Sequence, residues 1–102
     1  MKLSIFSGII SNISEIKEIQ GSKLIKFQLA INEKDKKTEY YKFAAWGKLA
    51  LVIKNYCNIG RKVQVVCTPN IRTVNDTETV WFEVDKIEFL DNKKNNDNNF
   101  YW

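Results

Sequence analysis

Tyr40, Lys42 and Trp46 are the residues of this 102-residue chain whose types and spacing best suit holding a ligand. They share one parity of an alternating stretch from Thr38 to Trp46, so in a strand they stand on one face, while Tyr41, Phe43 and Ala45 take the other. If the second set belongs to a core, two large rings and a cation face solvent, which is costly unless something covers them. Single-stranded nucleic acid is one such cover. Its bases stack on rings at about 1–3 kcal/mol each, and lysines attract the phosphates between them. Packing in a subunit interface or under a loop is the other. Lys23, Lys26, Lys48, Lys62 and Arg72 fall on neighbouring predicted strands or at their ends, where they would extend a phosphate track. The same scattered cations also describe an ordinary solvated surface.

Other chemistries are short of parts. The chain has no histidine, which removes His-based acid–base catalysis, the usual nucleophile triads and most zinc sites. Cys57 and Cys67 stand alone without histidine partners, so neither a metal site nor a disulfide framework is expected, and both are read as reduced, half-buried thiols. Gly8, Gly21, Gly47 and Gly60 are too dispersed to form a phosphate-cradling loop. No cofactor is expected. Sixteen Lys+Arg against twelve Asp+Glu leave a net charge of +4, a mild bias toward a polyanion. Apolar runs such as Leu49 to Ile53 fall far short of the roughly 20 residues that span a bilayer. Met1-Lys2 leads into Ser4 and Ser7 rather than into an apolar signal segment. These features predict a single cytosolic domain over residues 1–90, followed by a short polar tail over 91–102 in which Asp, Asn and Lys dominate before Phe100-Tyr101-Trp102.

The elements that would position the rings follow from periodicity. Lys2 to Ser11 reads as a strand with a bulge or close contact at Gly8. Ile13, Ile16 and Ile19 repeat every third residue, the spacing of one helical turn or of an irregular excursion, and Gly21-Ser22 is a turn. Ile25, Phe27, Leu29 and Ile31 alternate with Lys26, Gln28 and Ala30, a half-buried antiparallel strand, and Glu33 to Lys37 forms a charged hairpin tip. After the Thr38–Trp46 stretch the period changes. Leu49, Val52, Ile53 and Tyr56 make the stripe of an amphipathic helix that Gly60 would end. Arg61 to Ile71 is again a strand, with Pro69 marking an unpaired or bulged end; Asn75-Asp76 is a turn, and Val80 to Phe89 completes the last strand. Five strands with one helix between the third and fourth match the layout of the OB-fold, an all-β Greek-key barrel. The helix would close the barrel's bottom.

The run Thr38-Glu39-Tyr40-Tyr41-Lys42-Phe43-Ala44-Ala45-Trp46-Gly47-Lys48-Leu49-Ala50, with Tyr56 and Gly60 beyond it, resembles the central signature of the bacterial single-stranded DNA-binding protein family. There a T-E-W/F segment leads through a strand to an aromatic, then G-K-L-A and a helix. Phe27-Gln28-Leu29-Ala30-Ile31-Asn32 is similar to the family's preceding F-x-L-A-x-N strand, Gly8 falls near its first-strand glycine, and Ile71-Arg72 near its L-R pair. The likeness covers roughly residues 3 to 90. It implies a non-enzymatic OB-fold protein that forms a homodimer or homotetramer, coats single-stranded DNA with little sequence preference during replication, recombination or repair, and works beside replication and recombination proteins. It further implies a cytoplasmic setting, on the nucleoid or encoded by a phage or plasmid of a bacterial host. Carried over by position, the stacking aromatics are Tyr40 and Trp46.

Departures from the pattern shape the expectation. A third family ring, shortly after the fourth strand, falls on Val74, leaving Trp81 as the nearest substitute. The Glu33–Lys37 connection is shorter than usual. Fewer stacking platforms and a smaller or weaker site follow. The tail holds only Asp91 and Asp97 as acids, unlike the acidic tip through which family members recruit partners, and this points to an accessory or specialised relative. Two other OB-fold readings compete: a primosome-type accessory protein that bridges a helicase or another replication partner, and an RNA-binding module.

Overall fold

A computed structural model describes residues 3–32 and 37–90. The elements run β1 (Ser4–Ile13), β2 (Lys17–Ile19), β3 (Ser22–Asn32), β4 (Thr38–Trp46), α1 (Lys48–Tyr56), β5 (Lys62–Val74) and β6 (Thr77–Phe89). The sheet order β1-β5-β6-β4-β3 closes on itself because β3 also pairs with β1, which makes the five-stranded ring of an OB-fold barrel. All neighbours are antiparallel except β4 and β6, which meet in a short parallel seam at Phe43↔Phe82 and Ala44↔Glu83.

The alternation of β3 and β4 carries straight into the register. Ile25↔Ala45, Phe27↔Phe43 and Leu29↔Tyr41 form the inner rows, and Leu24↔Trp46, Lys26↔Ala44, Gln28↔Lys42 and Ala30↔Tyr40 the other face. The core gathers Ile10, Ile25, Leu29, Phe43, Val63, Val65 and Ile53 with almost no exposure. At its open end, Phe6 lies within 5.6 Å, ring centroid to centroid, of Tyr41, Phe43 and Phe82. Such aromatic clusters supply large buried area and preferred edge or tilted contacts.

Several local readings are corrected. Of the two readings of Ile13, Ile16 and Ile19 the irregular excursion holds and the helical turn does not: after a break at Ser14–Ile16 the chain resumes as β2 along the same edge of β3 that β1 occupies. Ser14 makes the join, donating its backbone N–H to the Lys26 carbonyl and accepting the Lys26 N–H on its hydroxyl. The turn before β3 centres on Gln20-Gly21, both with positive φ, one residue earlier than the Gly-Ser pair suggests. In β1 the irregular register lies between Ile10 and Asn12, not at Gly8. Of the two readings at Gly8 the close contact holds: a Cβ there would stand 2.8 Å from the Ala30 carbonyl oxygen.

α1 buries Ala50 and Ile53 rather than Val52 and Tyr56, so its inner stripe is rotated toward Leu49, Ala50, Ile53 and Cys57. The helix ends at Tyr56 with Cys57 as an extended cap, and Gly60 serves the turn into β5, donating its N–H to the Ile10 carbonyl. β5 is neither unpaired nor bulged at Pro69 and runs past Ile71 to Val74. The proline pairs with Phe82, and the strand runs on to an Asn75-Asp76 turn in which both residues have positive φ, the geometry a two-residue hairpin needs. From Thr68 onward β5 has no β1 partner, so a missing N–H is tolerated there. Cys57 and Cys67 are reduced thiols, and both are buried rather than half-buried. No helix among the described residues is long and apolar enough to cross a membrane. The expected hairpin tip (apart from Lys37) and the tail over 91–102 lie outside the described residues.

Candidate nucleic-acid interface

β4 ends at Trp46 because Gly47 follows with φ 65°, a left-handed conformation that side chains resist and that lets the chain swing from strand into α1. Trp46 therefore stands at the lip of the barrel, 40% exposed, with Tyr40 six residues back on the same face and 59% exposed. Phe43, of opposite parity, is 1% exposed. This division places both rings on the outside of the barrel.

The outer face of β3, β4, β6 and β5 is a groove of about 800 Å3. Lys26 and Gln28 line it from β3, Lys42, Ala44 and Trp46 from β4, Trp81 and Glu83 from β6, and Arg72 from β5. The β1–β2 join at Asn12–Ser14 borders the same groove. The Arg72 guanidinium lies 5.3 Å from the centre of the Trp81 ring, a cation–π distance that holds both near the groove wall. The described part of the groove thus combines Lys26, Lys42 and Arg72 with two indoles, the mixture of charge and flat apolar surface that suits an unpaired polynucleotide.

Not every predicted residue joins them. Tyr40 continues the β4 face past Lys42 without lining the groove itself. Lys23 sits at the rim, its ammonium 3.0 Å from Glu18 on β2, so part of its charge is already answered. Lys48 is the exposed first residue of α1, two positions beyond Trp46. Lys62 is not brought to the groove. It pairs with Ile9 at the opposite end of β5, ten residues and about 33 Å of strand from Arg72. Glu83 was not among the sequence candidates, although the alternation Trp81-Phe82-Glu83-Val84 already places it on the Trp81 face.

A small closed barrel of five strands with a helix at one end and a basic, aromatic groove across its outer face defines an OB-fold domain. The single-strand binding protein family model matches residues 1–95, and the chain belongs to that family, whose members bind single-stranded DNA. A comparison with curated proteins found no match.

Proposed function

We propose that this protein coats and protects single-stranded DNA during replication, recombination or repair, with Tyr40 and Trp46 stacking on bases and Lys42, Lys26 and Arg72 answering phosphates along the groove. The observation that carries this reading is the exposure of both rings on the cationic face of β4 while their odd-numbered neighbours fill the core. Lys48 and Lys23 extend the track at the Trp46 end, and Trp81 adds a third ring from β6. Stacking and charge attraction are both indifferent to base order, so binding is broad and weakens as salt rises. The role is binding without catalysis, in the cytoplasm where unpaired DNA is exposed.

Self-association belongs to the same proposal. Leu3, just before β1, and Ile5 and Ile9 on its outer face are exposed, and the half-buried Val66 continues the patch on β5 opposite Ile5. From Ser4 to Ser7 the strand has β5 on one edge and, among the described residues, no partner on the other. An apolar face beside an open edge suits pairing with a second copy into a homodimer or homotetramer.

The test is fluorescence titration with oligo-dT. Tyr40→Ala and Trp46→Ala should each weaken binding by about 1–3 kcal/mol while circular dichroism and melting stay native. Unchanged affinity in both variants would remove the stacking assignment.

A further inference from the structure

Glu83 is a carboxylate placed where the groove should favour anions. It is half-buried, and among the described residues it makes no hydrogen bond or ion pair. Its position is fixed by the barrel's closing seam. Ala44 lies directly beside it on β4, and Lys26 lies on the far side of Ala44 on β3. The alanine methyl keeps the floor low between the two charges. Along β6 the same face carries Trp81 two residues before Glu83, and along β4 it carries Trp46 two residues after Ala44. The carboxylate therefore sits between two indoles, with the groove's cations on the strands to either side: Lys26 and Lys42 on β3 and β4, Arg72 on β5.

That layout decides what a bound strand can offer Glu83. Phosphates are drawn toward the flanking cations and repelled from the middle, so the middle receives base edges. An ionised carboxylate only accepts hydrogen bonds. Cytosine carries an amino donor at its position 4, where thymine carries an oxygen acceptor, and the two rings stack with similar area. A half-buried carboxylate without a partner also gains most from a donor that replaces lost water.

We infer that Glu83 is a base-reading residue that accepts a hydrogen bond from the exocyclic amino group of a stacked base, favouring cytosine over thymine at one nucleotide position in the groove. The inference rests on the proposed single-stranded DNA binding and deepens it, since one selective position among several tolerant ones leaves the binding broad.

The experiment compares homopolymeric dC and dT oligonucleotides of equal length, titrated at one salt concentration against the native protein, Glu83→Gln and Glu83→Ala. A homopolymer puts the same base at Glu83 in any register. Both substitutions should shift the dC-to-dT affinity ratio toward dT by roughly fivefold or more, the lower end of what one hydrogen-bonded base contact supplies. An equal gain on both oligonucleotides would show that Glu83 merely repels phosphate or pairs with Lys26 or Lys42, and would overturn the inference while leaving DNA binding intact. An unchanged ratio without any gain overturns it equally. Failure of the native protein to bind either oligonucleotide would instead sink the functional reading beneath it.

Discussion

The outward rings differ from the inward ones only by parity, and the difference in environment is large. Phe43 contributes to the core through stacking with Phe27 at 5.3 Å between ring centres, whereas Trp46 three residues later keeps its indole open on the groove. Burial, helped by the nearby Asp85 carboxylate, pushes the Cys67 thiol from its ordinary 9.0 up to about 11. A thiol raised in this way is a poor nucleophile, which agrees with a packing role against β1, where its Sγ lies 3.5 Å from the Ser4 carbonyl. The sign of the linkage follows: the unfolded chain loses the proton first, so the contribution to stability is complete below pH 9.0 and lost as pH rises toward about 11. Denaturant melts across that range should show the native protein losing more stability than Cys67→Ala; parallel curves would contradict the buried-thiol assignment.

Among the elements, β1 has the most demanding geometry, because it pairs with β5 over its first half and with β3 over its second. The crossing needs the two backbones to come close at Gly8, where any Cβ would meet the Ala30 carbonyl and the Ile31 side chain at 2.8 and 2.9 Å. Gly8→Ala should therefore cost about 1–3 kcal/mol, the usual penalty for overpacking a close contact. Because Ala30 pairs with Tyr40, the displaced β3 should also disturb the ligand face. A thermal melt indistinguishable from the native one would mean that β1 and β3 separate more easily than their packing suggests. α1 makes a related point. Its apolar stripe is legible as a helix, but the face it buries is chosen by the barrel opening, which accepts Ala50 and Ile53 and leaves Tyr56 leaning toward Phe89 at 6.4 Å.

Across the whole barrel, one face is basic and aromatic while the outer face of β1 is apolar, beside an edge that no described residue pairs. The two surfaces share β1 and β5 but use different stretches of them, Ile5, Ile9 and Val66 on one side and Asn12, Ile13 and Arg72 on the other, so a substitution in one can spare the other. Light scattering should find the native protein as a dimer or tetramer, and Ile5→Lys should shift it toward smaller species, since a charge in an apolar contact carries a desolvation cost. A native protein that is monomeric at high concentration would remove the self-association proposal without touching the groove.

What the sequence alone determined is whatever the strand backbone dictates locally. A period of two assigns Tyr40, Lys42 and Trp46 to one face and Phe43 to the other, and a change of period marks α1; both follow from geometry within a few residues. The family-like run around Gly47 and the five-strand, one-helix order were legible for the same reason. Which of the scattered cations share a surface depends on how distant strands meet in the closed barrel. Arg72 and Trp81 reach the β4 face because β6 closes the barrel in parallel beside β4, and Lys62 stays out of the groove because it begins β5, at the opposite end from Arg72. Glu83 enters the site through that seam. Strand neighbours distant in the chain are selected by the packing of the entire core against the entropy of closing the loops between them. No local pattern contains that information.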